Sequence, residues 1–333
     1  MRADDLEPAL DMWIEAWGGS DRDFARRELM HDPNYTGHTL VALGAPGEVL
    51  SAAHYWVREV RDAEGKPRKV GCVSHVATRE SARRQGHARR LMRMTIDAMR
   101  AEGCEWSLLF ASHMSRPLYE SLGYRHFSLP YWRGVLSSER PKGGEEYAVR
   151  RYDPHGSPDA WKPMAGIFNA YNGQRPLSMV RDEDYWRGYY ADRFLCGHSN
   201  SENVIITAES SGEVRGYVVA HYLDKAVTRR YFPDFSGLLT VAELCVRPGH
   251  EAAIPALLSA VADHAGPGQV GTRAYLPPAR EANSAVATLL GETLQQQDDH
   301  NPMALSLGGG FAETDIDAMI DAPGAYSWYM DEF

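Results

Sequence analysis

The chain has 333 residues, 44% hydrophobic and 24% charged, with a formal net charge of −10. That length suits two domains of ordinary size rather than one, and no run of about 18 apolar residues is present to span a membrane. The negative charge argues against a sequence-nonspecific nucleic-acid binder, which needs a basic face for phosphates; it suits a cationic amine substrate, and it equally suits mere solubility.

Residues 1–17 read as an amphipathic helix with Leu6, Leu10, Trp13, Ile14 and Trp17 on one stripe. Strands are predicted over 40–43 and 49–60 around a Gly-Ala-Pro-Gly turn, and over 69–78 after a second turn. A helix follows over 85–103, burying Ala88, Leu91, Met92, Thr95, Ile96 and Met99. Then come a short strand over 106–111, a short helix over 115–122 stopped by Gly123, and the last strands of this unit over 124–136.

The polar stretch 137–146 is the best boundary, after which the order recurs. A strand is expected over 147–152, helices over 160–171 and 183–194, strands over 203–209, 214–223 and 238–246, a helix over 252–265, a strand over 271–276 and a helix over 279–290. Ala53-His54-Tyr55 matches Ala220-His221-Tyr222 at an offset of 167, and Val76-Ala77-Thr78-Arg79 matches Leu244-Cys245-Val246-Arg247 at 168. Two near-equal offsets within one element order point to a duplicated domain. The first unit lacks the strand that opens the second.

The segment that carries chemistry is Val76 to Ala88: strand, tight loop, helix N-terminus. Such a helix start offers free N–H groups and the positive end of the dipole. Gly86 and Ala88 let backbone approach a bulky anion, and Arg83, Arg84, Arg89 and Arg90 add positive charge. The features suit a pyrophosphate, yet they form neither a P-loop nor a dinucleotide fingerprint.

Arg83-x-x-Gly86-x-Ala88 resembles the R/Q-x-x-G-x-G/A signature of the GNAT acetyltransferases. Leu118-Tyr119-Glu120-Ser121-Leu122-Gly123-Tyr124 looks like the downstream LYE-x-x-GY segment of that superfamily. The resemblance implies two tandem α+β folds, each a mixed, mainly antiparallel sheet flanked by helices. It implies acetyl-CoA as co-substrate and no metal. Residues 1–138 would form the coenzyme-binding domain, 145–309 a GNAT-like domain, and 310–333 an acidic-aromatic tail packed on them.

By the same resemblance, backbone amides from Arg84 to Ala88, including Gln85 and His87, would hold the pyrophosphate. Val76, Ala77 and Thr78 would pair with the pantetheine arm like an added strand. Tyr119 would protonate the departing thiolate, a task a phenol near pKa 10 suits, or would simply pack. The base has three candidates. His75 lies on the strand before the loop, where no carboxylate stands. His54 lies on the neighbouring strand, its counterpart His221 favouring a structural role for both. The third is the chain's end. The tail 312–333 holds six acids and no base and closes Trp-Tyr-Met-Asp-Glu-Phe, which resembles the enhanced-intracellular-survival family of aminoglycoside acetyltransferases. In that family a terminal Phe carboxylate, here Phe333, reaches the active site. The chain is too short for that family's third, sterol-carrier-like domain. The tail's aromatic and aliphatic residues want burial.

In the second unit the offset of 168 places Glu251, Ile254 and Ala256 at the positions of Arg83, Gly86 and Ala88, and Pro255 removes a donor. We therefore expect no coenzyme there. A mycothiol-synthase-type acyltransferase on an amino sugar, and a non-catalytic acetyl-CoA-responsive protein, are the alternative readings. The four cysteines form no C-x-x-C pair and residues 1–6 carry no signal-peptide core, so a cytoplasmic protein with reduced thiols is expected. The expected partner is a small-molecule amine, not nucleic acid or membrane; oligomeric state stays open, a homodimer among the options.

Overall fold

Neighbouring residues on a strand face opposite ways, and two long strands use that alternation to build a layer coated on both sides. These are β2 (Val49–Arg61) and β3 (Pro67–Thr78), in a computed structural model that describes residues 1–17, 22–153, 156–157, 159–190, 203–224, 237–265, 269–277 and 279–331. Val49, Ala52 and Ala77 pack with Leu10, Met12 and Trp13 of α1 (Leu6–Ala16) and with Ala25 and Leu29 of α2 (Arg22–Met30). Ala53, Tyr55 and Val73 pack instead with the later helices.

Among those helices, α4 (His87–Ala101) buries Leu91, Met92, Thr95, Ile96 and Met99, the helical period that the sequence carries. The short α3 (Tyr35–His38) leads into β1 (Thr39–Leu43). After α4 come β4 (Trp106–Phe110), α5 (Arg116–Glu120), β5 (Arg125–His126) and β6 (Leu129–Val135).

The chain divides into two compact units, and the strands over 124–136 divide with it. The first unit takes residues 1–128 and 300–321, the second 129–299 and 322–331. Only β5 stays with the first sheet, whose order is β1-β2-β3-β4-β13-β5, where β13 is Pro302–Ser306. In the second sheet β6 sits between β12 (Gln295–Asp299) and β11 (Val270–Ala274), followed by β10 (Gly237–Val246), β9 (Glu213–Asp224), β8 (Asn203–Ser210) and β7 (Ala148–Arg151). The boundaries at 138/145 and 309 thus differ from those of the compact units. An extended segment's own pattern specifies which face is buried, not which sheet edge it joins.

Both sheets are mixed and mainly antiparallel: β3–β4 and β10–β11 are parallel pairs, and the remaining ladders are antiparallel. Helices over Lys162–Asn172, Ala253–Ala265 and Arg280–Leu290 accompany the second sheet. The predicted helix over 183–194 appears as a helical turn, Glu183–Tyr185, continued to Tyr190; residues 191–194 lie outside the described residues.

The tail is ordered in two parts. Helix Glu313–Ile320 goes with the first unit, burying Ile316 and Met319. Residues 322–331 go with the second, where Tyr326 and Trp328 are buried and the Trp328 indole donates to Asn172 Oδ1 at 3.0 Å. Among the described residues no helix is long and apolar enough to cross a membrane, and no group of three or more His, Cys, Asp or Glu side chains is placed to hold a metal ion.

Candidate active site

In the first unit, β3 and β4 pair only from Val70↔Trp106 to Cys72↔Leu108, although β3 runs on to Thr78 and β4 to Phe110. The strands splay, and the edge of β3 from Val73 to Thr78 has no neighbouring strand on that side among the described residues. Val76, Ala77 and Thr78 lie along it. A strand edge of this kind presents unpaired N–H and C=O groups to an extended ligand.

β3 is irregular at the same place. Its register against β2 jumps between Ala52↔Ala77 and His54↔Ser74, so His75 and Val76 form a bulge. His75 has φ +51°, a left-handed conformation unusual for a side chain of its size.

Beyond β3 a 3-10 turn (Glu80–Ala82) leads into Arg83–Gly86 and then α4. Arg84 and Gly86 both have positive φ, +61° and +83°. Positive-φ residues in a tight turn can aim neighbouring N–H groups toward one side, the arrangement of an anion-binding concavity. No side chain caps the start of α4, and a Cβ added to Gly86 would meet nothing within 4 Å. The helix amides are therefore available, and the loop has open space in front of it. Arg83, Arg84, Gln85, Arg89 and Arg90 are exposed, with the Arg83 side chain reaching the Thr78 carbonyl at 3.3 Å; His87 and Ala88 are half-buried. The donor set fits a pyrophosphate.

Tyr119 lies on α5, in the same apolar cluster as Leu91 and Met92. Its hydroxyl has no hydrogen-bond partner among the described residues, and its ring meets Tyr124 edge-on, centroids 6.0 Å apart. Burial pushes the phenol up to about 12, so it is protonated at neutral pH.

The His75 imidazole is buried on the α1–α2 side. Its Nδ1 is 2.7 Å from Ser74 Oγ and its Nε2 is 3.5 Å from a Glu28 carboxylate oxygen; Trp13 and Trp17 meet it edge-on at 5.3 and 5.2 Å. His54 is wholly buried, with Nδ1 2.9 Å from Thr39 Oγ1. Burial, and then the nearby His75 and His38, hold it well below its usual range, so it is neutral. His38 lies beside it as a clamp: Nδ1 is 2.5 Å from Asp32 and Nε2 is 3.0 Å from Glu102, which also accepts from the Tyr55 hydroxyl at 2.9 Å.

Sequence reasoning did not find Glu28, Asp32 or the His38 clamp: each lies in a helix or turn with no motif spacing, and only the fold gathers them. Phe333 lies outside the described residues. Two positions earlier, Asp331 is buried in the second unit, where Arg181 Nε donates to it at 2.8 Å.

The second unit repeats the design and fills it. β10 carries the equivalent bulge, where Val241↔Ala220 is followed by Glu243↔Val219, and Glu243 stands at the position of His75 by the offset of 168. Glu243 is fully buried and held bidentately by Arg181, at 3.1 and 2.6 Å. Where the coenzyme loop would open, Gly144 (φ +78°) packs on helix Ala253–Ala265: a Cβ there would lie 2.7 Å from the Ala252 carbonyl oxygen and 2.9 Å from the Ala256 Cβ. Gly144 thus packs on the first turn of this helix, a contact that Gly86 does not have in the first unit.

These features define two tandem GNAT folds. Residues 1–127 match the family model described as an acetyltransferase (GNAT) domain. Along nearly its full length the chain shares its fold with a GCN5-related N-acetyltransferase from Kribbella flavida (TM-score 0.62, 21% identity, 96% of this chain and 71% of that one). It also resembles Eis1 from Mycobacterium abscessus (TM-score 0.60, 18% identity, 92% and 72%). A tandem GNAT protein from the clavulanic acid biosynthesis pathway matches over 91% of this chain and 95% of its own (TM-score 0.53, 14% identity). Comparison with curated protein sequences gives no significant match.

Proposed function

We propose that the protein is an N-acetyltransferase that moves an acetyl group from acetyl-CoA directly to a primary amine of a small molecule, using one coenzyme site per chain, in the first unit. The observation that carries this reading is the contrast between the two loops: Arg83–Ala88 has the arginines and Gly86 with open space before it, while its counterpart has Glu251, Ile254 and Pro255 with Gly144 packed on the helix start.

The amides of Arg84 to Ala88 hold the pyrophosphate, and Val76–Thr78 pair with the pantetheine arm. Catalysis is then mainly positioning, with a backbone N–H of the bulge polarising the thioester carbonyl. Tyr119 protonates the thiolate that leaves; burial of the residue, which keeps the phenol protonated, supports that role. His75 takes the proton from the amine; its Nε2 lies 3.5 Å from a Glu28 carboxylate oxygen. The partner is a small amine, with no nucleic acid or membrane surface involved.

The test is calorimetric titration of acetyl-CoA into the full chain and its Arg84→Glu and Arg247→Glu variants. One site, lost only in Arg84→Glu, is expected; two sites, or none, would overturn the reading. Tyr119→Phe should lower turnover on an amine panel by about 10²-fold while leaving coenzyme binding intact, as removal of a general acid does. Unchanged turnover would take the acid role from Tyr119, and binding with no turnover by the unaltered protein would favour a regulatory protein.

A further inference from the structure

We infer that Trp13 is a positioning residue for the reaction: its indole N–H fixes the peptide plane that aims the Val76 amide, and so sets the donor that polarises the acetyl carbonyl. The inference rests on the acetyltransferase reading above.

Trp13 is fully buried on α1, and its Nε1 donates to the His75 carbonyl oxygen at 2.7 Å, a contact 62 residues apart in sequence. That carbonyl belongs to the bulge, where β3 leaves its register with β2 and His75 takes φ +51°. A histidine in the left-handed region is strained, and such strain persists only where surrounding contacts over-determine the conformation. The short, buried indole bond is one such contact.

The consequence for Val76 follows from peptide geometry. The His75 C=O and the Val76 N–H belong to one planar, trans unit, so the two groups point in opposite directions. With the carbonyl turned to Trp13, the Val76 N–H is turned away from α1. Released from the indole, the unit would lose this restraint against rotating toward the regular ladder. The amide donor would turn with it. Trp13 touches neither coenzyme nor amine in this scheme and acts only through the bulge.

The test is steady-state kinetics of the full chain carrying Trp13→Phe, alongside a chain with 3-benzothienylalanine at position 13, which keeps the indole's shape and lacks its N–H. In both, kcat should fall about ten- to a hundredfold, the order expected when a reacting group is misplaced by a fraction of an ångström, with KM for acetyl-CoA changed less than about threefold. Met12→Ala, which deletes buried volume from the same helix, should lower the melting temperature and leave kcat within about twofold. Retention of wild-type kcat by the benzothienylalanine protein would overturn the inference, as would an equal kcat loss in Met12→Ala.

If Trp13→Phe fails to fold, the isosteric chain decides alone. Amide hydrogen exchange supplies a readout independent of turnover: the Val76 amide, unpaired on the open edge, should exchange more slowly in the benzothienylalanine protein as it turns into the ladder with β2. Unaltered exchange refutes the clamp. Slower exchange in a chain whose unaltered form transfers no acetyl group would sink the acetyltransferase reading and leave the clamp standing.

Discussion

Replacing Gly86 with alanine separates two reasons for a glycine at a helix start. Its φ of +83° carries a penalty for any side chain, about 1–2 kcal/mol in the left-handed region. Part of this is offset because alanine restricts the unfolded chain, by about 0.4–1 kcal/mol. The new methyl group meets nothing within 4 Å, so no clash adds to the strain. The net loss is about 1 kcal/mol, or a few degrees in melting temperature for a protein of this size.

Acetyl-CoA affinity should suffer more. If the open space before Gly86 is where the pyrophosphate meets the amides, the methyl group stands between them, and affinity falls at least about tenfold, or ~1.4 kcal/mol. Thermal unfolding and calorimetric titration of one variant give both numbers. A lowered melting temperature with unchanged affinity would show that Gly86 serves only the turn, and the assignment of the loop as a pyrophosphate cradle would be wrong. Gly144→Ala is the mirror experiment. There strain combines with backbone collisions at 2.7 Å, so the stability loss should exceed that of Gly86→Ala while coenzyme affinity stays unchanged.

The His38 clamp predicts a pH dependence of stability. Burial alone would lower the pKa of His38, but its hydrogen bonds to Asp32 and Glu102 outweigh burial and raise it. A raised value stabilises the fold fully below the unfolded pKa, about 6.5, and the contribution is lost as pH rises through the folded value. Thermal melts across that range should therefore show His38→Gln flattening the slope on its alkaline side; an identical profile would refute the clamp. In the second unit, Arg181→Met leaves Glu243 and Asp331 as buried carboxylates without their cation. Denaturant unfolding should register a loss of about 3–5 kcal/mol, the cost of breaking a buried pair from one side, and a loss under 1 kcal/mol would contradict the geometry.

Local chemistry was legible from the residues themselves. The alternation in 49–60 and 69–78, the helical period of 85–103 and the loop between them depend on neighbours in sequence, and each element formed within a few residues of expectation. The weak internal offset was legible too, and the matching bulges at His75–Val76 and before Glu243 give it structural form. Polarity alone hid β12: Gln-Gln-Gln-Asp-Asp carries no apolar signal, yet it pairs with β6 from Gln295↔Arg133 to Asp299↔Leu129.

What the sequence by itself determined was the composition of each element and the left-handed, glycine-bearing turn of one loop, because propensity, periodicity and glycine conformation act over a few residues. The tertiary structure alone decided that β6 joins the second sheet and β13 the first, because pairing partners are chosen by contacts far apart along the chain. It alone brought Glu28 to His75, His38 between Asp32 and Glu102, and the Trp13 indole to the bulge carbonyl. Those pairings satisfy buried polar groups across 6 to 64 residues of separation, a constraint that exists only once the chain has folded around them.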